Sequence, residues 1–229
     1  MAMPDRQRRA SPFCGTCAAL LLALGLLALP GPLAAHPHVF VDGGVDFVFG
    51  PGGMLEALDV TWLYDPFETL YLLSSAGLTL STAGTLAEAD RQELIRRESA
   101  WADDFEGASH PEIGGTPIRL GRPTDFDAQM QDGRLLVTFR RRLDRPVAIS
   151  GQTLDLAFYE ETYFYAFAVS DAPLLKGQPP ACSTRVVPFD SDTRTAELKA
   201  TLAELGREET PGIADVGRLF ADRILVTCD

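Results

Sequence analysis

The strongest constraint on the fold is a pair of alternating segments joined by a turn. Over residues 39–49 apolar side chains recur at every second position, as they do on one face of a strand: Val39, Val41, Val45, Phe47 and Phe49. Pro51-Gly52-Gly53 marks a turn, and a second alternating segment over residues 55–64 follows it. The pattern predicts a β-hairpin, with a bulge at Gly43-Gly44.

A basic segment, an apolar run and a group of small residues precede this hairpin. Three arginines come before an apolar run over residues 18–29, and small residues end at Ala35. This order is typical of a secretory signal peptide, and the run is too short for a comfortable membrane span. We predict a signal peptide over residues 1–35 and a periplasmic domain over residues 36–229. Cleavage one residue earlier is the alternative, and it would leave Ala35 in front of His36.

The predicted exported domain is acidic. The whole chain has 20 Lys and Arg, 32 Asp and Glu and a net charge of −12; residues 1–35 hold three of the Arg and one of the Asp, so the remainder carries −14. This charge disfavours a nucleic-acid partner, because phosphate binding needs clustered Lys and Arg. No further apolar stretch approaches about 20 residues, so we expect no membrane span in the mature protein.

Two cysteines follow the predicted cleavage site, at Cys182 and Cys228. An even number of cysteines in an oxidising compartment predicts a disulfide, here closing a loop of about 46 residues. A thiolate metal pair is the alternative. Neither a Cys-x-x-Cys spacing nor a neighbouring histidine supports that alternative.

Strand and helix signatures both follow the hairpin. Helices are predicted at 85–105, 195–205 and about 212–222, and strands at 134–140, 153–159, 163–169 and 224–227. His110 falls in a Gly- and Pro-rich loop, and Arg140-Arg141-Arg142 is interpreted as a solvated strand end. The sequence predicts an α+β fold with a mainly antiparallel β-sheet core and two or three flanking helices. A duplicated β-unit is a further hypothesis, since Trp62–Phe67 and Phe158–Tyr163 both follow a strand-turn-strand pattern.

The segment His36-Pro37-His38 carries two of the three histidines of the chain. After cleavage, His36 would offer its α-amine and its imidazole to one ion, and imidazole suits nickel, cobalt, zinc and copper. Pro37 has no backbone N–H, so it removes the deprotonated amide of the square-planar amino-terminal copper and nickel motif. Side chains two apart share a face of a strand, so one ion could contact both rings. The competing interpretation is that these histidines are solvated or begin a strand without a ligand.

The other metal ligands would have to come from carboxylates. Asp65 ends the second strand of the hairpin, where loops carry sites, and Glu160 is the analogous residue in the second pattern. Each carboxylate also has a structural interpretation, because Asp65 precedes Pro66 and is a natural turn residue, and Glu160-Glu161 suits a solvated corner.

No catalytic motif stands out in the sequence. It contains no Gly-x-Ser-x-Gly, no phosphate-binding loop, no dinucleotide fingerprint and no His-Glu-x-x-His. We therefore expect a protein that is not an enzyme. The alternative is a copper enzyme with an N-terminal histidine brace, for which His110 is the distant histidine.

Several of these motifs together resemble a known family. His36-Pro37-His38-Val39-Phe40-Val41-Asp42, then Trp62-x-x-Asp65, then Tyr159-Glu160-Glu161-Thr162-Tyr163 and two late cysteines resemble the family of unknown function DUF1007. The resemblance covers essentially the whole mature chain. It implies a periplasmic component of an uncharacterised ABC-type transport system, with a nickel or cobalt permease as partner. The chain departs from the family pattern at Glu160, where the family usually has Tyr-Asp-Pro-x-Tyr.

The combined prediction is a periplasmic, transition-metal-binding accessory component of a nickel/cobalt-type transport system. The predicted ligands are His36, His38, Asp65 and Glu160, and the predicted partner is a membrane metal permease or ABC transporter. A metal-free interaction protein that docks on a transporter is the main alternative.

Overall fold

The computed structural model describes residues 37–102, 105–190, 193–203 and 212–229. The predicted signal peptide and His36 lie outside this part of the chain. Within it the helices are α1 (Pro66–Ser75), α2 (Glu88–Glu98) and α3 (Thr193–Ala203), with short 3₁₀ turns at Pro51–Gly53 and Val216–Phe220. The strands are β1 (Val39–Phe49), β2 (Leu55–Tyr64), β3 (Ser109–Ile113), β4 (Thr116–Pro117), β5 (Leu120–Gln131), β6 (Arg134–Val147), β7 (Thr153–Phe158), β8 (Tyr165–Val169), β9 (Leu175–Gly177), β10 (Cys182–Val187) and β11 (Asp222–Cys228).

The described strands form two sheets. The first has the order β5-β6-β2-β1-β8, and β9 pairs with the C-terminal part of β1, on the same edge as β8. The second has the order β10-β11-β7-β3-β4. Neighbouring strands are antiparallel except that β8 and β9 run parallel to β1. The predicted α+β fold with mainly antiparallel sheets and two or three helices is confirmed.

The predicted hairpin is present as β1 and β2, with Val45 opposite Val60. The second strand-turn-strand pattern does not form a matching hairpin, because β6 lies in the first sheet and β7 in the second. The predicted bulge is not at the glycine pair. The register instead shifts between Val48 and Phe49, and β1 runs through Gly43 without interruption.

Gly43 lies where the two sheets approach each other. A Cβ atom at this position would be 2.4 Å from the carbonyl oxygen of Thr61 and 3.2 Å from the ring of Phe158 in the second sheet. The alternating face of β1 packs here with side chains of both sheets in one hydrophobic core, which includes Val41 and Phe158. Glycine is therefore required for close packing.

The opposite face of the first sheet carries charged side chains. Asp46 and Asp59 lie directly opposite each other on β1 and β2, an arrangement that destabilises a sheet when the charges are not compensated. Lys176 binds both carboxylates, at 2.9 Å from Asp46 and 3.0 Å from Asp59, and Arg140 adds a second ion pair to Asp59 at 2.6 Å. The alternation seen in the sequence thus separates an apolar face from an ion-paired face.

Helix predictions were partly wrong. The helix expected over residues 85–105 is shorter, Glu88–Glu98. Helix α1 was missed, because Asp65-Pro66 was interpreted only as the end of β2. A proline is well tolerated in the first turn of a helix, and here it begins α1. His110, expected in a loop, lies in β3.

The predicted disulfide joins Cys182 and Cys228, which lie opposite each other on β10 and β11. It closes a loop of 46 residues and fixes the C-terminal strand of the second sheet. By the chain-entropy estimate such a loop contributes up to about 4 kcal/mol to stability. In the part of the chain that the structure describes, no helix is both long and apolar enough to cross a membrane.

Candidate functional site

His38 is fixed at the start of β1. Its backbone N–H donates to the carbonyl oxygen of Phe164 at 3.0 Å, and its ring centroid lies 4.8 Å from that of Phe164. The Nε2 atom of His38 is buried. These contacts determine where the segment that leads back to His36 joins the sheet.

Asp65 lies at the end of β2 and caps the N-terminus of α1. Its Oδ1 atom accepts hydrogen bonds from the backbone N–H groups of Phe67 at 2.7 Å and Glu68 at 2.9 Å. Its Oδ2 atom accepts a third, from the backbone N–H of Phe40 at 2.8 Å. A carboxylate has about four acceptor sites, so three of those of Asp65 are used by the backbone.

Glu160 organises the loop before β8. Its Oε1 atom accepts from the backbone N–H of Thr162 at 2.8 Å, and its Oε2 atom accepts from the Thr162 hydroxyl at 2.9 Å and from the backbone N–H of Phe164 at 3.0 Å. The loop contains Tyr163 in a left-handed conformation, with φ of 61°. The hydrogen bonds of Glu160 help to hold this unusual backbone.

The sheet topology brings three of the predicted site residues, His38, Asp65 and Glu160, to one end of the first sheet. Strand β1 lies between β2, which ends at Asp65, and β8, which follows Glu160, so both carboxylates flank the strand that His38 precedes. Among the residues that the structure describes, no group of three or more His, Cys, Asp or Glu side chains is arranged to hold a metal ion. His36 lies outside those residues, and the four-ligand metal site stays a prediction.

An aromatic pocket of about 510 Å³ lies against this end of the sheet. We define it by Trp62, Tyr64, Glu98, Trp101, Tyr165 and Phe167, and Glu160 also lines it. Tyr64 and Phe167 are both opposite Val41 of β1, one on each side, so these three side chains form a row on one face of the sheet.

Trp101 closes the pocket from the loop after α2. Its ring is stacked nearly parallel to that of Trp62, with 5.9 Å between the centroids and 7° between the planes. The Nε1 atom of Trp62 is buried and has no hydrogen-bond acceptor among the described residues.

Glu98, at the end of α2, places a carboxylate among these rings. Its Oε2 atom accepts a hydrogen bond from the Tyr64 hydroxyl at 2.8 Å. Burial raises the pKa of the Glu98 carboxyl above its ordinary value, and burial together with the charge of Glu98 raises the pKa of Tyr64 well above its ordinary value. Within the described residues no ion pair joins a cation to Glu98, and Arg97 beside it is bonded to Glu93 at 2.7 Å.

Sequence analysis did not identify Glu98. It belongs to a strongly charged helix segment in which Leu94 alone is fully buried, and nothing in its spacing marks it as different. The two tryptophans were the available signal, because Trp62 and Trp101 are the only ones in the chain.

A second cleft, of about 830 Å³, contains His110. The His110 ring is stacked on Tyr159 with 4.1 Å between the centroids, and its Nε2 atom lies 3.1 Å from the Tyr159 carbonyl oxygen. Burial lowers the pKa of His110. The Tyr159 hydroxyl donates to Asp215 at 3.3 Å, so the histidine is part of a packed polar group.

The interpretation of the arginine run as a solvated strand end was wrong for Arg141, which is buried with 6% of its surface exposed. Its guanidinium donates to the carbonyl oxygens of Glu106, Leu120 and Gly121, and it lies over the Trp101 ring at 5.2 Å from the centroid. Burial lowers the pKa of Arg141 to about 10. The side chain points inward because strand alternation places it with Phe139 rather than with Arg140.

These features define a disulfide-bonded α+β protein of two sheets with an aromatic pocket at one end of the larger sheet. The chain belongs to the family described as protein of unknown function (DUF1007), whose model matches residues 21–228. The predicted family membership is therefore confirmed. No match is found among the curated proteins.

Proposed function

We propose that this protein is exported to the periplasm and binds a divalent transition metal of the nickel or cobalt type through its N-terminal histidine pair, as an accessory component of a metal transport system. The observation that carries the proposal is the fixed position of His38. Its backbone N–H donates to Phe164, in the loop that follows Glu160, and its ring contacts that of Phe164. Asp65 lies on the other side of the strand that follows His38. A metal held there would have a defined place at the end of the sheet.

Two features support export. The arrangement of residues 1–35 is typical of a secretory signal, and the disulfide between Cys182 and Cys228 is typical of an oxidising compartment. Cleavage after Ala35 would give His36 a free α-amine beside its imidazole. Amine and imidazole nitrogen suit the later first-row divalent metals better than they suit magnesium or calcium.

The hydrogen bonds rank the two carboxylates as ligands. Asp65 accepts three bonds, two at Oδ1 and one at Oδ2. Glu160 accepts four when a longer one from Tyr165 at 3.4 Å is included, one at Oε1 and three at Oε2, so a metal at Glu160 would compete with more bonds. In this proposal His36 and His38 are the primary ligands and Asp65 is the better third. Glu160 contributes mainly by holding the loop that carries Phe164.

Isothermal titration of the mature protein with nickel, cobalt, zinc and copper tests the proposal. We expect one site tighter than about 1 mM that is lost in the His36→Ala, His38→Ala double variant. His110→Ala is the matched control, because it removes the third histidine of the chain and leaves the N-terminal pair intact. Binding that survives the double substitution, or no binding by the mature protein, contradicts the proposal.

The free amine is tested separately. A protein with one additional alanine before His36 keeps both imidazoles but moves the amine away from the first ring. We expect this protein to bind metal at least about tenfold more weakly than the protein that begins at His36. Mass analysis of the exported protein's N-terminus establishes which of the two forms the cell makes.

A metal-free docking function is the second candidate, and an exposed apolar patch favours it. Phe40, Phe67, Leu70 and Tyr71 have 55%, 86%, 65% and 59% of their surfaces exposed. They lie together around the start of α1, beside the strand that His38 begins, so an apolar surface of a membrane permease would reach the N-terminal histidines as well. Normal metal transport in the double histidine variant, and its loss after Leu70→Glu, would favour docking over metal binding.

A further inference from the structure

The aromatic pocket has the features of a ligand site that the histidine pair does not explain. Its walls come from three parts of the chain: Trp62 and Tyr64 on β2, Trp101 after α2, and Tyr165 and Phe167 on β8. Its volume of about 510 Å³ is within the range of small-molecule sites.

The charge within the pocket is negative and is not neutralised from inside. Glu98 and Glu160 both line it. Within the described residues Glu98 accepts a hydrogen bond only from the neutral Tyr64 hydroxyl, and Arg97 at the rim is bonded to Glu93. A carboxylate among aromatic rings without a paired cation is costly in the empty protein and becomes favourable when a cation enters.

The indole N–H of Trp62 is a second, independent indication that the pocket binds a molecule. Its side chain is 94% buried, since 6% of its surface is exposed, and its Nε1–H has no acceptor among the described residues. Buried indole N–H groups usually have a partner. A bound molecule with an oxygen acceptor near this wall would supply one.

We propose that the aromatic pocket binds a small organic cation, an ammonium or quaternary ammonium group that carries an oxygen acceptor. The cation lies among the aromatic rings of the pocket and near the Glu98 carboxylate, and the oxygen accepts from Trp62 Nε1. Aromatic faces attract such cations through the ring quadrupole, and a nearby carboxylate adds a charge interaction that a neutral molecule of the same shape does not receive. The pocket is not lined by His36 or His38, so the test of this proposal does not depend on whether the protein binds a metal.

Tryptophan fluorescence tests this proposal directly, because both tryptophans of the chain line the pocket. The probes are choline, tetramethylammonium and phenethylammonium, and the neutral control is 3,3-dimethyl-1-butanol, which has the shape of choline without its charge. We expect choline to give a saturable change with a Kd below about 1 mM and the neutral alcohol to bind at least about tenfold more weakly.

Glu98→Gln tests the carboxylate while keeping an oxygen that can accept from Tyr64. We expect it to weaken choline binding by about tenfold or more. Glu88→Gln is the matched control on the same helix, because Glu88 pairs with Arg91 and neither residue lines the pocket, and its fluorescence titration should be unchanged. Thermal unfolding of each variant checks that it is folded.

Three results would overturn the proposal. One is the absence of a saturable response to all three cations. Another is an equal response of the wild-type protein to choline and to the neutral alcohol, which would make the pocket merely apolar. The third is choline binding that is unchanged in a folded Glu98→Gln variant.

Discussion

Asp65 accepts a hydrogen bond at 2.8 Å from the backbone N–H of Phe40, a residue 25 positions earlier in the chain. The same carboxylate caps α1 through the N–H groups of Phe67 and Glu68. One side chain therefore ties the start of β1 to the end of β2 and to the first turn of a helix. It is a structural residue whether or not it also contacts a metal.

Two substitutions of Asp65 separate its cap of α1 from its bond to Phe40. Asp65→Ala should lower the free energy of unfolding by about 2 kcal/mol, because it removes the cap and the bond to Phe40. Asp65→Asn should cost less, about 1 kcal/mol, because its amide oxygen keeps the cap of α1 while its NH2 group cannot accept from the Phe40 N–H. Urea unfolding measures both. A loss of stability in Asp65→Asn as large as that in Asp65→Ala would refute the capping argument.

Gly43 and its neighbour Gly44 form a matched pair for testing sheet packing. Gly43→Ala should destabilise the protein by about 1–3 kcal/mol, because its Cβ would be 2.4 Å from the Thr61 carbonyl oxygen. Gly44→Ala should be tolerated, since its Cβ would be 3.5 Å from the nearest atom, the Cβ of Asp171. Thermal unfolding compares the two. Equal stability of both variants would contradict the close contacts of Gly43 with Thr61 and Phe158.

Arg141 should be far more sensitive than the arginine that follows it. Arg141→Met leaves the carbonyl oxygens of Glu106, Leu120 and Gly121 without this donor, which should cost about 3 kcal/mol. Arg142→Ala removes an exposed side chain and should change stability by less than about 0.5 kcal/mol. Urea unfolding of the two variants decides the matter. Similar losses of stability in the two variants would contradict the structural difference between the buried Arg141 and the exposed Arg142.

Glu98 should make stability depend on pH in a direction unusual for a carboxylate. Burial raises its pKa in the folded protein above the ordinary 4.5, so the folded state holds the proton more tightly than the unfolded state does. Its contribution is therefore present below pH 4.5 and is lost as the pH rises through the folded-state pKa. Relative to Glu98→Gln, the wild-type protein should lose stability as the pH rises over this window, measured by urea unfolding at several pH values.

Glu93, on the same helix, should change the pH dependence of stability in the opposite direction. Its hydrogen bonds from Arg96 and Arg97 lower its pKa to about 2, so its contribution is present above pH 4.5 and is lost as the pH falls. The effect should be small, since Glu93 is solvent-exposed and the ion pairs are screened. If Glu98→Gln and Glu93→Gln change the pH profile in the same direction, the assignment of Glu98 as a buried carboxyl is wrong.

The sequence by itself determined the local elements and the covalent link. The alternation of residues 39–49 and 55–64 predicts the β1–β2 hairpin because a strand's side chains alternate over neighbouring positions, and that information is local. The pairing of Cys182 with Cys228 followed from an even count. The family motifs around His36 and Asp65 were also recognisable in the sequence.

The tertiary structure decided which of these residues meet. Strand pairing over long separations placed β1 between β2 and β8, so Asp65 and Glu160 came to one end of a sheet. Their oxygens bond to backbone N–H groups that spacing alone does not reveal. Glu98 shows the limit most clearly: in sequence it is one charge in a polar helix, and packing of that helix on Trp62, Tyr64 and Trp101 makes it a buried carboxylate. Burial is a property of the assembled sheets and not of the local pattern, and it decides the chemistry of that side chain.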